Sequence, residues 1–107
     1  MTGKIVVIST CGSEEEAARI AERLVIEKLA ACVSVLPQVR SFYRWEGKLE
    51  NAAEVFLLIK SSREHFDRLR HVLESCHSYQ IPEVLALPVV DGSPSYLNWL
   101  DQELAGE

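Results

Sequence analysis

Residues 31–59 constrain the fold of this chain more than any other segment, because they form two long strand-like runs that fold back at Trp45-Glu46-Gly47-Lys48. Strands of about fourteen residues extend for roughly 45 Å, whereas a compact domain of this size has a radius of gyration near ~13 Å. The hairpin must therefore project beyond its own domain. Its large side chains include Val39, Phe42, Tyr43 and Trp45. Exposed apolar strands pair readily with a second copy of the chain, so the sequence predicts an oligomer.

The segments on either side of the hairpin alternate between strand and helix patterns. Residues 5–8 are a continuous β-branched run, which favours a strand buried on both faces. Ser13 and Glu16 are spaced as a capping box and predict the start of a helix. Ser61 and Glu64 repeat that spacing and predict a second helix. The apolar stripe of this second helix consists of Phe66, Leu69, Val72, Leu73 and Cys76.

Prolines shape the remaining elements. Pro37 lacks an N–H group and predicts a bulge or bend in the first arm of the hairpin. The second arm ends in an apolar run, residues 55–59, that predicts a central strand. Pro88 confines a fourth strand, residues 84–87, to an edge or a terminus. Ser93 is predicted to cap a last helix, and Pro94 to occupy its first position. The inward side chains of this helix are predicted to be Tyr96, Leu97, Leu100 and Leu104.

The predicted order is therefore βαββαβ followed by a C-terminal helix. This is an α+β, ferredoxin-like arrangement in which two helices cover one face of a four-stranded antiparallel sheet. No linker interrupts it, so residues 1–107 are expected to form a single domain. The other face of the sheet lacks a cover, and the hairpin and the last helix, from the same chain or a neighbour, are available to supply one.

Composition excludes several functional classes. The net charge is −5 and no run of Lys or Arg is present, which argues against nucleic-acid binding. No apolar stretch approaches membrane-spanning length, and residues 5–8 are too short for a secretory signal. Three cysteines, Cys11, Cys32 and Cys76, cannot all pair within one chain and are expected to be reduced thiols. We expect a cytoplasmic protein without nucleic-acid or membrane partners.

Three stretches carry a family resemblance: Glu27-Lys28-Leu29-Ala30-Ala31-Cys32-Val33, Tyr43-Arg44-Trp45-Glu46-Gly47-Lys48, and His77-Ser78-Tyr79-Gln80-Ile81-Pro82-Glu83 with Leu87-Pro88-Val89. In this order and spacing they resemble the divalent-cation tolerance family CutA over nearly the whole chain. The resemblance implies a homotrimer joined through the long hairpins and a role in tolerance of copper and other divalent metals. It also implies that three positions of the family bind copper, and these positions correspond to Ser9, Cys76 and His77 of this chain. Only His77 is the residue type that the family has at its position.

The residues at these positions differ in their value as metal ligands. Cys76, as a thiolate, suits Cu(I) or zinc, whereas the hydroxyl of Ser9 is a poor ligand for a soft metal. Cys11 points to the same side as Ser9 if the strand persists that far, and would then replace the missing sulfur. The sequence therefore proposes weakly bound copper, or another divalent cation such as zinc, at these four residues.

Structural roles compete with ligation. Cys76 is in phase with the buried stripe of the second helix, which favours a packing role. His77 follows that helix closely, where an imidazolium ion interacts favourably with the C-terminal end of the helix dipole. Cys32 lies at the start of a strand between Ala31 and Val33 and is predicted to belong to the core.

A second candidate site is a cleft between subunits beside the hairpin. Trp45, Lys60, Tyr79 and Glu83 lie near predicted strand ends, where the amine of Lys60 and an aromatic ring suit a small anionic or amphipathic ligand. The two rings are also typical anchors of a protein–protein contact. Both interpretations of this group remain open.

No motif indicates an enzyme. The chain lacks a nucleophile elbow and a glycine-rich phosphate loop, and residues 9–13 contain no Arg for an acylphosphatase-like anion site. Three hypotheses follow from the sequence. The favoured one is a non-enzymatic metal-binding homotrimer; the others are a trimeric regulatory module that senses a small ligand and a scaffold without a ligand.

Overall fold

The structure is a computed structural model that describes residues 2–106. Its elements are β1 (Lys4–Cys11), α1 (Glu14–Ile26), β2 (Cys32–Trp45), β3 (Lys48–Ser62), a 3₁₀ turn (Arg63–His65), α2 (Phe66–Cys76), β4 (Leu85–Pro88) and α3 (Pro94–Leu104). Within residues 2–106, none of the helices has the length and apolar character needed to cross a bilayer.

The four strands form one antiparallel sheet in the order β2-β3-β1-β4. β1 and β3 are central, as their continuous apolar runs predict, and β4 with its Pro88 lies at an edge. The predicted α+β, ferredoxin-like arrangement is therefore confirmed. Since β1 pairs with both β3 and β4, its C-terminal end lies between the middle of the hairpin and the loop that precedes β4.

Helices α1 and α2 pack on one face of the sheet and form the main core with it. The Ser13 hydroxyl accepts a hydrogen bond from the backbone N–H of Glu16 at 3.1 Å, which confirms the predicted start of α1. Members of this core with almost no exposed surface are Val7, Cys11, Ala17, Ile20, Leu24, Leu57, Ile59, Leu69 and Leu73. Cys11 is thus part of the helix-facing layer, at the last position of β1.

The hairpin formed by β2 and β3 is paired from Cys32 and Lys60 at its base to Trp45 and Lys48 at its tip. Its register shifts between Leu36 and Val39, which confirms the bulge predicted at Pro37. The molecule measures 45 × 26 × 23 Å with a radius of gyration of 14.4 Å, above the ~13 Å of a compact chain of this length. The part of the hairpin beyond the bulge, residues 39–54, is called the ribbon. This ribbon therefore projects from the domain.

The second face of the sheet, which we call the open face, is apolar along most of its length. It carries the alternate side chains of each strand, namely Val6, Ile8, Leu36, Phe56, Leu58, Lys60, Leu85 and Leu87. Helix α3 covers only one end, where Leu100 and Leu104 pack against Ala31. Lys4 and Asp101 form an ion pair of 2.7 Å at that end. Leu85 and Leu87 are 56% and 47% exposed, so a large apolar area of the single chain faces solvent.

The second capping box is a wrong prediction. β3 continues through Ser62, and a 3₁₀ turn then leads into α2. The hydroxyl of Ser61 is buried and donates to the carbonyl of Leu29 at 2.6 Å instead of capping a helix. A tertiary contact with the end of α1 therefore overrides the local capping pattern.

Two predictions about buried side chains are also wrong for the single subunit. Cys32 lies on the open face beside Lys60, because strand alternation turns its neighbour Val33 toward the core. Tyr96 of α3 is 43% exposed and stacks on Trp99 at a centroid distance of 5.5 Å. The buried side of α3 is formed by Leu97, Leu100 and Leu104.

Candidate metal-binding site

A buried polar cluster lies where β1 ends. β1 supplies Cys11 at its last position, and the loop after α2 returns His77 and Tyr79 to the same place. Helix α1 contributes Glu16 from its first turn, and β3 contributes Glu54 from the middle of the hairpin. Four segments of the chain thus place a thiol, an imidazole, a phenol and two carboxylates within one cluster.

Both ring nitrogens of His77 are engaged by the backbone. Nε2 lies 2.7 Å from the carbonyl oxygen of Thr10, and Nδ1 lies 3.1 Å from the backbone nitrogen of Tyr79. A carbonyl only accepts and a backbone N–H only donates, so the hydrogen-bond network assigns the proton to Nε2. The imidazole side chain has no exposed surface. The His77 ring is therefore buried and held by the backbone at both nitrogens, and it is not exposed at the end of a helix.

The thiol of Cys11 is the nearest soft donor to this ring. Its Sγ lies 3.9 Å from Nε2 of His77, and the residue is fully buried. Burial raises the pKa of Cys11 to about 11, and the negative charges of Glu16 and Glu54 add to the increase. The thiol is therefore protonated at neutral pH.

Glu16 of helix α1 binds the loop that follows α2. Its carboxylate accepts hydrogen bonds from the backbone N–H of Ser78 at 2.6 Å and from the Ser78 hydroxyl at 3.0 Å. Burial by itself raises the pKa of Glu16, but the hydrogen bonds from Ser78 and from the backbone N–H of Gly12 outweigh it and lower the pKa. Glu16 is therefore ionised at neutral pH, and its Oε2 lies 3.8 Å from Nδ1 of His77.

The lowered pKa of Glu16 predicts a pH-dependent contribution to stability. The unfolded chain binds the proton at a pKa of ~4.3 and the folded chain only at lower pH, so this contribution is complete above that value and is lost as the pH falls through the folded pKa. We expect Glu16→Gln to lower the free energy of unfolding at pH 7 by roughly 1–3 kcal/mol. The gap to the parent should narrow toward pH 3, measured by urea unfolding.

Glu15, which is exposed in the same helical turn, offers the matched control. Glu15→Gln should stay within about 0.5 kcal/mol of the parent. A gap between Glu16→Gln and the parent that stays constant from pH 7 to pH 3 would contradict the role given to the Glu16 carboxylate.

Tyr79 joins this cluster to the hairpin. Its hydroxyl donates to Oε2 of Glu54 at 2.7 Å, and its ring lies against the His77 ring at a centroid distance of 4.7 Å. Burial raises the pKa of Tyr79 well above its usual range, and the hydrogen bond to Glu54 and the charge of that carboxylate act in the same direction. Tyr79 is therefore a neutral donor to a buried carboxylate.

The other two predicted ligands, Cys76 and Ser9, form no hydrogen bond with Cys11 or His77 among the described residues. Cys76 accepts a hydrogen bond from Nη1 of Arg23 at 3.1 Å and lines a surface groove between α1 and α2, whereas the His77 ring turns toward β1. Ser9 lies on the same face of β1 as Cys11, and its buried hydroxyl has no hydrogen-bond partner among the described residues. The structure brings together only Cys11 and His77 of the four predicted metal ligands.

The comparisons with known proteins are consistent with this fold. Residues 5–103 match the family model described as CutA1 divalent ion tolerance protein. The chain belongs to this family. The CutA protein of Yersinia pestis (strain Pestoides F) is 48% identical over 100 residues, which covers 94% of this chain and 84% of that protein.

Solved structures of the family have the same fold. CutA from Xylella fastidiosa is 40% identical with a TM-score of 0.94, and the alignment covers 96% of this chain and 99% of that one. A protein from Archaeoglobus fulgidus, described as a periplasmic divalent cation tolerance protein CutA, is 39% identical with a TM-score of 0.93, covering 95% and 99% of the two chains.

A thiol and an imidazole are ligand types that zinc and copper accept. Zinc–sulfur and zinc–nitrogen bonds of ~2.3 and ~2.1 Å allow the two ligand atoms to lie up to ~4.4 Å apart, so the 3.9 Å between Cys11 and His77 suits one shared ion. Binding requires the loss of the Cys11 proton and of the hydrogen bond from Nε2 to Thr10. Within residues 2–106, no group of three or more His, Cys, Asp or Glu side chains is arranged to hold an ion.

The predicted ligand cleft is not formed within one subunit. Lys60 pairs with Cys32 at the base of the hairpin, whereas Trp45 lies at its tip. Tyr79 contacts the middle of the ribbon, and Glu83 is half-buried before β4. A cleft that contains both Lys60 and Trp45 therefore requires a tip from another subunit.

The sequence reasoning missed the two carboxylates of the cluster. The sequence indicates Glu16 only as part of a capping box, whereas its carboxylate also binds the loop after α2 through Ser78. Glu54 lies in a predicted strand, and the residues around it in the sequence do not indicate that its carboxylate is buried. A capping Glu within an otherwise complete box was the only available signal for Glu16, and we find none for Glu54.

Proposed function

We propose that this protein acts in divalent-cation tolerance as a cytoplasmic homotrimer that binds copper, or a similar ion such as zinc, weakly and reversibly. The observation that carries the metal role is the 3.9 Å separation between Sγ of Cys11 and Nε2 of His77. The family to which the chain belongs and the tolerance role in its relatives' names support the same function. The proposal assigns no catalytic residue.

The chemistry of the two donors determines how tightly an ion is held. The ion must displace the Cys11 proton, and the raised pKa of that thiol makes this displacement costly at neutral pH. His77 must offer the electron pair of Nε2 and give up its bond to Thr10. Two protein ligands are also fewer than the four of a structural zinc site. The expected result is a low affinity that suits exchange of the ion with other carriers.

The homotrimer is supported by the apolar surfaces that one subunit leaves exposed. Along the ribbon, Tyr43 and Trp45 are 44% and 39% exposed on the side that continues the open face. A subunit that buried these surfaces on its neighbours would resemble an obligate oligomer, in which folding and assembly are linked. Light scattering of a dilute solution should give three times the chain mass of 12.0 kDa, and a mass of one chain would contradict the trimer.

Calorimetric titration of the reduced, metal-free protein tests the metal site. We expect the parent to bind one Cu(I) or Zn(II) ion per chain. Cys11→Ser and His77→Ala should each weaken binding by about tenfold or more, because each removes one of two protein ligands. Cys76→Ser is the matched control and should bind as the parent does, since that thiol contacts Arg23. Parent-like binding by both Cys11→Ser and His77→Ala would contradict the site.

The raised pKa of Cys11 adds a prediction about pH. Because the ion replaces one thiol proton, the affinity should rise by about tenfold for each pH unit between pH 7 and pH 9. The same titrations, repeated across that range in Cys76→Ser, measure the slope without the partly exposed thiol of Cys76. An affinity that does not change with pH would show that the Cys11 thiolate is not a ligand.

A second candidate function is binding of a small anion between subunits. Its supporting observation is Lys60, a half-buried amine that contacts only the Cys32 sulfur at 3.7 Å and the Ser34 hydroxyl at 3.5 Å. Among the described residues no carboxylate pairs with it, and covering the open face would leave its charge buried. This function predicts ligand binding that depends on Lys60 and on the hairpin tip of a neighbouring subunit. The ligand affinity should be unchanged in His77→Ala. A scaffold without a ligand predicts neither dependence.

A further inference from the structure

An open cleft lies between the C-terminal half of α3 and the 3₁₀ turn that follows β3. Its volume is about 440 Å³, which is within the range of small-molecule sites. Lys4 of β1 and Arg63 of the turn contribute two cationic groups to its wall, and we call this space the α3 cleft. Since Lys4 and Cys11 are the first and last residues of β1, the α3 cleft is separate from the proposed metal site.

The ammonium group of Lys4 is a nearly buried cation whose hydrogen bonds are incomplete. The side chain is 10% exposed, and Nζ lies 2.7 Å from Oδ1 of Asp101 and 3.4 Å from the carbonyl oxygen of Thr2. An ammonium group has three N–H donors, and the third has no acceptor among residues 2–106. Because burial of a cation is costly unless its donors are satisfied, this amine favours a further oxygen acceptor from the cleft.

Asp101 is the movable partner of this ion pair. Its side chain is 62% exposed, so the carboxylate can turn into water with little change in its hydration. Lys4 stays in place, because β1 is a central strand of the sheet. An oxygen anion that enters the cleft can therefore replace the Asp101 carboxylate at the amine of Lys4.

Arg63 provides the second cation of the cleft. Its backbone N–H donates to the carbonyl of Gly3 at 3.0 Å, which ties the 3₁₀ turn to the residue before β1. In the part of the chain that the structure describes, no carboxylate forms an ion pair with its guanidinium group. Guanidinium groups bind the paired oxygens of carboxylates and phosphates through two parallel hydrogen bonds. Lys4 and Arg63 thus offer an oxyanion two different cationic donors.

The other groups of the cleft limit the charge of the anion. Glu64 also lines the cleft and is exposed, so it repels a highly charged ligand although solvent screens its charge. The net charge of the chain, −5, acts in the same direction. The Ser62 hydroxyl lies 2.6 Å from Nδ1 of His65 and holds this ring at the wall of the cleft. These features favour a small anion over a polyanion such as a nucleic acid.

We propose that the α3 cleft binds a small oxyanion, a phosphate or a carboxylate, through Lys4 and Arg63. The Asp101 carboxylate occupies the position at Lys4 when the anion is absent, and is therefore an internal competitor of the ligand. Because Asp101 belongs to α3, the bound anion also releases the ion pair that links this helix to β1. The site requires neither the metal nor the Lys60 amine considered above.

Calorimetric titration with inorganic phosphate, and separately with acetate, tests the site at an ionic strength held constant with chloride. At least one of the two anions should bind saturably, and the tighter one identifies the source of the oxyanion. Lys4→Met should weaken its binding by about tenfold or more, and Arg63→Gln by about threefold or more, because each loses a charge-assisted hydrogen bond. Asp101→Asn should bind it about three- to tenfold more tightly, because the competing carboxylate is gone.

Two matched variants control for charge. Glu103→Gln removes an exposed carboxylate from the same helix, and Lys60→Met removes the amine on the open face; both should bind the anion as the parent does. An equal gain in Glu103→Gln and Asp101→Asn would overturn the competition, and loss of binding in Lys60→Met would overturn the assignment to the cleft. Absence of saturable binding in the parent and in Asp101→Asn would overturn the site itself. Since Arg63 is exposed, parent-like binding by Arg63→Gln would overturn it even if Lys4→Met failed to fold.

Discussion

Replacing Tyr43 and Trp45 together by glutamate is expected to convert the proposed homotrimer into single chains at micromolar concentration. The two rings lie on the same side of the ribbon, because Tyr43 pairs with Glu50 and Trp45 pairs with Lys48 in one register. Aromatic anchors of this kind each contribute roughly 2 kcal/mol or more to an interface, and a carboxylate buried in their place would lack a partner. Light scattering should show a fall from three chain masses to one.

The control for this experiment is an apolar residue of similar exposure that lies away from the hairpin. Ile26 on α1 is 77% exposed, so Ile26→Glu should retain the parent mass. A parent-like mass for the double hairpin variant, or dissociation of Ile26→Glu to the same extent, would contradict assembly through the ribbon.

Leu24→Ala should cause a large loss of stability. Leu24 has no exposed surface and lies in the core between the helices and the sheet. Truncation of a buried leucine removes its transfer free energy and leaves a cavity, and costs about 2–5 kcal/mol. Urea unfolding at fixed protein concentration should show a lower midpoint with an unchanged slope.

Ile26→Ala removes a side chain of equal size from the same end of the helix. Because Ile26 is exposed, this variant should stay within about 0.5 kcal/mol of the parent. Equal losses in Leu24→Ala and Ile26→Ala would show that α1 does not pack as the structure describes.

The elements with strong local signals could be predicted from the sequence. The hairpin length follows from strand patterning, and the Pro37 bulge and the edge position of β4 follow from the missing proline N–H. Ser13 caps α1 as predicted, because its hydroxyl accepts the bond from the backbone N–H of Glu16. Ser61 has the same local pattern, but its hydroxyl bonds to the carbonyl of Leu29 in the folded chain.

The candidate site was predictable only in part, because it depends on side-chain directions at the ends of elements. Cys11 was anticipated from strand alternation, and β1 indeed persists to that residue. Cys76 and His77 are adjacent in sequence, yet one faces Arg23 and the other faces β1. The link between Tyr79 and Glu54 joins residues from separate elements and has no counterpart in any local pattern.

X-ray absorption at the metal edge of the loaded protein tests the central claim most directly, because it identifies the ligand atoms of the bound ion. The Cu(I) or Zn(II) complex should show one sulfur ligand at ~2.3 Å and nitrogen or oxygen ligands near ~2.0–2.1 Å. The sulfur signal should vanish in Cys11→Ser and persist in Cys76→Ser. A spectrum without sulfur, or a sulfur signal that is lost only in Cys76→Ser, would contradict metal binding by Cys11 and His77.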